Sequence, residues 1–456
     1  MKIDISRREF LNLSAGTLAS AGMFGNMQRA LAATADTSGY KALVCVFLVG
    51  GNNSFNWVVP TSSTAYATYK SSRSNLALAQ SSLLALNGTA SDGNSYGFHP
   101  GCPELRTLFN AGNAAIISNV GTLVQPTTPA QARAQTVATP PQLFSHVDQQ
   151  TLWQTCIANS AERYGWAGRV ADLLSYQGVI ANLSTNINVG GANYWQEGRA
   201  TIPYVLGDNG APVLSVTANN TYRSGTRQRT AIDILNQAFT NSNPLVREYA
   251  SIQRNADDKV SFVNSAFGAA GNLNTDFPSV PGDSNIGGQL RQVARTIKAR
   301  SQIGDSRQIF FISMSGFDTH NSELATQATL LNILSKNLNT FWNALGEIGA
   351  QSNVTTFTAS DFGRSLGSNG DGSDHGWGGH AMVMGGAVQG ARIYGTMPSL
   401  AINGPDDVGN GRIVPTTSTD QYAATLAKWF GVADADLDVV FPNLRNFATR
   451  NLGFLG

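Results

Sequence analysis

Histidine is scarce in this chain, five residues in 456, and cysteine is scarcer still at three. Cys45, Cys102 and Cys156 are odd in number, far apart and without a CxxC, so they neither match a zinc-finger spacing nor compel a disulfide framework. Cys45 lies inside an apolar run and reads as a small buried side chain. Charge is thin as well: 13% of residues are charged and the formal net charge is +1, which gives no electrostatic reason to expect nucleic acid or an anionic membrane as partner. After the first 32 residues no apolar run reaches eighteen, so the mature protein is expected to have no transmembrane segment. No internal repeat is found.

In place of these the chain has 47 glycines and abundant Asn, Ser and Thr, which suits an exported protein with long ordered loops. Ser6-Arg7-Arg8-Glu9-Phe10-Leu11 is a twin-arginine motif, followed by a weakly apolar run from Leu13 to Phe24 and a small-residue cleavage signature at Ala30-Leu31-Ala32. Residues 1–32 are therefore expected to be a signal that directs the chain through the Tat translocase to the periplasm or beyond, and residues 33–456 the mature domain. Passengers of that route cross the membrane folded, often because a metal or cofactor is inserted first.

The mature chain opens on Ala42 to Val49, a continuous apolar run stopped by Gly50-Gly51-Asn52-Asn53. A run without alternation, bounded by turn residues, predicts a strand buried on both faces, as in parallel sheets. A helix over Glu104–Asn110 and a strand over Ala114–Ser118 follow, then a helix beginning near Ser145 and running through Cys156. From about 165 to 304 the texture turns Asn-, Thr-, Ser- and Gly-rich, and predicts an insertion or cap with short strands near Val213 to Val216 and helices over roughly 228–270 and 287–300. The opening pattern then returns: a strand over Gln308–Met314, a long helix with apolar residues from Leu331 to Ile348 every three or four positions, a strand over Val354–Thr358, another over Ala381–Val388 and a helix over Asp420–Phe430. The expected fold is α/β, a mostly parallel central sheet flanked by helices.

Polar residues fall at the C-terminal ends of three of these strands, where open α/β sheets place their ligands: Asn52 and Asn53, Asp318 and His320, and Asp361. Asp361 opens a Gly-rich stretch that also carries Arg364, Asp374, His375 and His380. Carboxylate and imidazole are the ligands that zinc, manganese or iron accept, and Asp318, His320, Asp361, His375 and His380 could supply the three or four a site needs, with Asp374 or another carboxylate orienting an imidazole. The structural alternative is that these residues close turns and cap helices. Arg364 is a candidate to hold an anionic substrate oxygen or to pair with a surface carboxylate. Ser145, three residues before Asp148, reads as a capping box, or as a nucleophile or anion contact at a helix N-terminus.

The segments FLVGGNNSFNWVVP, LFSHVDQQ, GFDTH, SDFGRS, DHGWGGHAMVMGG, DQYAATLAKWF and LDVVFPNLRNF together resemble an exported bacterial family, domain of unknown function 1501, across almost the whole mature chain. That family resembles the alkaline phosphatase and sulfatase superfamily, which implies a parallel-sheet fold with one or two metal ions at the strand ends. The resemblance implies Asp318, His320, Asp361 and His375 as metal ligands and Ser145 as nucleophile; beside them His380 is expected as ligand or acid and Arg364 as the anion contact. It also marks two departures: Asn53 stands where relatives carry a ligand aspartate, and Phe362 where superfamily enzymes carry a second ligand histidine. Two divalent ions beside so few carboxylates would leave positive charge uncompensated, so one ion is expected. The expected activity is metal-dependent hydrolysis of a small anionic phosphate or sulfate ester; the alternative is a non-catalytic periplasmic binding or assembly protein that keeps the fold around a vestigial site.

Overall fold

Alternate side chains of the first apolar run enter opposite cores. In the computed structural model, which describes residues 38–211 and 241–456 apart from 89, 161, 180 and 209, Ala42, Val44, Val46 and Leu48 pack into one apolar cluster and Leu43, Cys45 and Phe47 into the other. This is the reason the run has no polar alternation: both faces of the strand are covered. The signal segment 1–32, the Val213 to Val216 pieces and the start of the helix expected from 228 lie outside the described residues.

In chain order the strands are β1 (Lys41–Leu48), β2 (Val58–Pro60), β3 (Leu84–Ala85), β4 (Tyr96–Phe98), β5 (Ala114–Gly121), β6 (Asn186–Asn188), β7 (Tyr204–Val205), β8 (Arg307–Met314), β9 (Val354–Ser360), β10 (Arg364–Ser368), β11 (Ser373–His375), β12 (Gly379–Met384), β13 (Ile393–Tyr394) and β14 (Thr417–Ser418). The main sheet runs β13-β5-β12-β9-β1-β8-β6-β7, with β14 also on β5. Its pairs are parallel except those made by β12, which is antiparallel to both β9 and β5. The expected mostly parallel α/β fold is therefore the observed one. The helices Glu323–Glu347 and Ile286–Lys298 supply one core, Trp166–Tyr176 and Thr419–Phe430 the other.

The stretch from 165 to 304, expected as an insertion or cap, contributes β6 and β7 to the edge of the main sheet, where β6 runs parallel to β8. Among the described residues no helix is long and apolar enough to cross a membrane.

What positions a site is the register of the three central strands. Leu48 of β1 lies beside both Met314 of β8 and Ser360 of β9, so the three strands end together. The turns leaving them are pressed into contact. Gly50 and Gly51 have φ of 118° and 83°, a region that favours glycine, and a Cβ on either would come within 2.4 Å of the Asp318 nitrogen or the Phe362 ring. The two glycines are thus what allows the β1, β8 and β9 turns to share one floor.

Candidate metal centre

Four elements deliver side chains to that floor. The β8 turn brings Asp318 and His320, the β9 turn brings Asp361 and Phe362, the β10–β11 hairpin brings Arg364, Asp374 and His375, and the helix His146–Thr155 brings His146 and Gln150. Arg364 and His375 face each other across the hairpin.

Hydrogen-bond partners assign the imidazole protons. His146 Nδ1 lies 2.6 Å from Asp361 Oδ2 and His375 Nδ1 lies 2.7 Å from the Phe144 carbonyl. Both acceptors require an N–H at Nδ1, which in the neutral rings leaves lone pairs at both Nε2 atoms. Those two lone pairs face each other at 3.1 Å. His320 Nε2 approaches the same His375 nitrogen at 2.9 Å, and Asp318 Oδ1 lies 3.1 Å from His320 Nε2 and 3.4 Å from His375 Nε2. Asp318 Oδ2 is 3.5 Å from His146 Nε2.

Protons relieve part of this convergence: an N–H at His320 Nε2 can donate to His375 Nε2 or Asp318 Oδ1, and one at His146 Nε2 faces His375 Nε2 and Asp318 Oδ2. A metal ion would satisfy the whole group, and the separations match the edges of a tetrahedron, about 3.4 Å, built on bonds of about 2.0–2.1 Å to imidazole. His146, Asp318 and His375 thus fit a divalent ion, with ligand atoms that all lie within 4.8 Å of one another, and His320 stands at the open edge. The second contacts follow the usual logic of a metal-bound histidine, whose other nitrogen donates to a carboxylate or carbonyl.

The surroundings act on the three groups in different directions. The Asp361 hydrogen bond raises the His146 pKa against the opposing effect of burial. Burial lowers that of His375, opposed by the Phe144 carbonyl. Burial would raise Asp318, but the hydrogen bond and charge of Arg364 outweigh it and hold the carboxyl below its ordinary range.

Of the residues nominated from the sequence, Asp318, His320 and His375 meet at one point. Asp361 stands behind it. Its Oδ2 accepts from His146 Nδ1 and from Gln150 Nε2 at 2.9 Å, and its Oδ1 from the Gly50 amide at 3.2 Å, so the carboxylate orients an imidazole where a direct ligand was expected. Arg364 does not present itself to substrate. Fully buried, it donates through Nη1 to Asp318 Oδ1 at 2.6 Å and to the Gly50 carbonyl, and through Nε and Nη2 to Ser373. It fixes the Asp318 carboxylate. Ser145 precedes its helix without capping a backbone N–H; its hydroxyl donates to Asp148 Oδ2 at 2.5 Å.

His380 has no hydrogen bond or ion pair to the cluster among the described residues. It is buried, accepts the Asn119 amide at Nδ1, and burial pushes its pKa down to about 3, which favours the neutral imidazole. The shift has a consequence for stability. An unfolded His380 binds a proton below about pH 6.5 that the folded one refuses, so its contribution falls as pH drops through that value toward 3. Between pH 6 and 4 the wild type is expected to lose about 1.4 kcal/mol per pH unit relative to His380→Gln, read from denaturant unfolding of both proteins. Parallel pH profiles would show that His380 is protonated in the folded state.

His146 is the residue that sequence reasoning missed as a ligand. Its signal was available: His146 and Gln150 are four apart on one helix, hence on one face, and both reach Asp361. Phe362 forms the apolar wall, its ring 4.8 Å from that of His146 and 4.7 Å from that of His375. Asn53 turns away into the interior. Its amide donates to Glu323, a fully buried carboxylate that also pairs with Arg73 at 2.5 Å and accepts from Ser373.

A family model described as "Protein of unknown function (DUF1501)" matches residues 40–440. No curated protein matches the chain. Among solved structures, the chain is similar to the soluble domain of lipooligosaccharide phosphoethanolamine transferase A from Neisseria meningitidis, 9% identical over 90% of this chain and 95% of that one, with a TM-score of 0.35. It is also similar to the PsFucS1 sulfatase from Pseudoalteromonas sp., 10% identical over 91% and 70% of the two chains (TM-score 0.31). A third is the phosphonate monoester hydrolase of Agrobacterium radiobacter, 11% identical over 84% and 73% (TM-score 0.30).

Proposed function

This chain belongs to the DUF1501 family of proteins of unknown function, and from that premise and the site above we propose that it is an exported hydrolase of phosphate or sulfate esters that works with one divalent ion. The observation that carries the reading is the meeting of the His146 and His375 lone pairs at 3.1 Å beside the Asp318 carboxylate. His146, His375 and Asp318 hold the ion, and His320 closes the set. This donor set suits zinc, manganese or iron. The charge fits one ion: Asp318, Asp361 and Asp374 against Arg364 leave two negative charges.

A divalent ion held there supplies Lewis-acid polarisation of an ester oxygen. The chain supplies the rest. Asp361 and the Phe144 carbonyl hold the Nδ1 protons, so that both Nε2 lone pairs stay aimed inward. Arg364 keeps Asp318 ionised and in place. The Ser145 hydroxyl donates a hydrogen bond to Asp148 Oδ2, so on attack its oxygen would bond to the ester phosphorus or sulfur while its proton passes to Asp148, the bond to the alcohol oxygen breaks and the alcohol leaves, and water would then hydrolyse the seryl ester. Phe362 excludes water from one side of the imidazoles.

The test is elemental analysis of mature protein recovered from the exported fraction, joined to a panel of aryl phosphate and sulfate esters. One ion per chain is expected, with turnover that Asp318→Ala lowers by about 100-fold or more. Absence of both ion and turnover overturns the proposal, and retention in the cytoplasm overturns its exported part. An ion without turnover favours a second reading, a binding or assembly protein on the same fold, for which Phe362 and the inward-turned Asn53 speak.

A further inference from the structure

We propose that Arg412 is the group that receives the anionic end of the substrate, a phosphate or sulfate oxyanion, a role that rests on the hydrolase reading. Arg364 is fully buried and spends four of its five N–H donors on Asp318, Gly50 and Ser373, so burial keeps it from a ligand. With one divalent ion the charges of Asp318, Asp361, Asp374 and Arg364 cancel. An arriving ester dianion would then meet a neutral centre whose outward groups, Asp318 and Asp374, are exposed carboxylates, 44% and 58% accessible. Productive binding needs one more cation.

Arg412 is built to be that cation. Its Nε donates to the His375 carbonyl at 3.1 Å, and its guanidinium carbon sits 4.3 Å over the Phe144 ring. Phe144 is the residue whose own carbonyl holds His375 Nδ1. The guanidinium is therefore held against His375 and against the residue whose carbonyl fixes the His375 ring. Among the described residues its two terminal nitrogens have no hydrogen bond and no ion pair, and the side chain is half-buried. A fixed planar fork with both terminal amines unspent is the geometry that takes two oxygens of a tetrahedral oxyanion, and the clamping lowers the entropy lost on binding.

The experiment uses metal-loaded wild type, Arg412→Gln and Arg412→Lys, with inorganic phosphate titrated calorimetrically and the ester panel run beside it. Arg412→Gln is expected to weaken phosphate about 10- to 100-fold and to raise KM for anionic esters by a similar factor. Its metal content should stay at the wild-type level, and Arg412→Lys should recover part of the loss. Phosphate binding unaltered in Arg412→Gln overturns the assignment. So does a loss of metal, since that would mean that Arg412 only props up His375. Arg412-dependent phosphate binding in a protein that hydrolyses nothing would keep the anion site and remove the hydrolase reading; turnover indifferent to Arg412 would do the reverse. A wild type that binds no phosphate and hydrolyses no ester removes both.

Discussion

Replacing His146 with alanine is expected to empty the centre, leaving less than a tenth of the wild-type metal after dialysis, because it removes a ligand and the reason for the Asp361 carboxylate to be where it is. In the proposed centre His146, Asp318 and His375 would share the ion with His320 closing the set, and a neutral imidazole whose Nδ1 is already committed to a buried carboxylate is the best-oriented of them. Asp361→Asn should behave differently. The isosteric amide keeps the packing and can still accept from His146 Nδ1 through its oxygen, but it loses the charge that makes His146 a stronger donor to the ion. A 10- to 100-fold weaker affinity is the usual size of such an effect, about 1.4 to 2.7 kcal/mol. Metal titration with a competing chelator reads both variants. Equal and complete loss in the two would mean that Asp361 ligates the ion directly, as the sequence alone suggests, and that the carboxylate swings inward on loading.

That contrast marks what the chain's letters make legible. The uniform apolar runs of β1, β8 and β9 announce a sheet buried on both faces, and strands ending in Asn, Asp and His announce where the chemistry collects, because side-chain period and strand-end geometry are local properties. Which of the five histidines take part is not local. His99, in a Gly- and Pro-containing segment much like the others, is buried, takes the Gly101 amide at Nδ1, and is pushed down to a pKa of about 4. His380 lies in the same stretch as His375 and is equally structural. Histidines in similar segments therefore divide: His146, His320 and His375 meet in the cluster, while His99 and His380 pack. Arg364 misleads for a related reason: a guanidinium near carboxylates can face substrate or brace a ligand, and only the closure of β10 on β11 decides it. The orientation of Asp361 toward His146 depends on a helix 215 residues away in sequence.

Asn53→Asp is expected to destabilise the protein by about 3–5 kcal/mol, the cost of an unpaired charge in a buried network, and to add no second ion. From the sequence, the change restores a ligand that relatives carry. In the structure the Asn53 amide is only 2% exposed and donates to Glu323, which is itself fully buried against Arg73 and Ser373. An aspartate would remove that donor and set two carboxylates against one another with one guanidinium between them, so either the fold yields or one carboxylate takes up a proton. The network does not end there: Ser373 passes to Arg364 and Arg364 to Asp318, so disorder at position 53 should also loosen the metal's own carboxylate ligand. A charge swap isolates the cause. Asn53→Asp with Glu323→Gln returns a donor and a single carboxylate to the same space, and should recover most of the stability, with a coupling of about 1–3 kcal/mol. Denaturant unfolding of the four proteins completes the cycle, and elemental analysis of Asn53→Asp decides the rest: two ions per chain at wild-type stability would show that Asn53 is a lost ligand rather than a part of the brace that Glu323 and Arg73 build beneath Asp318.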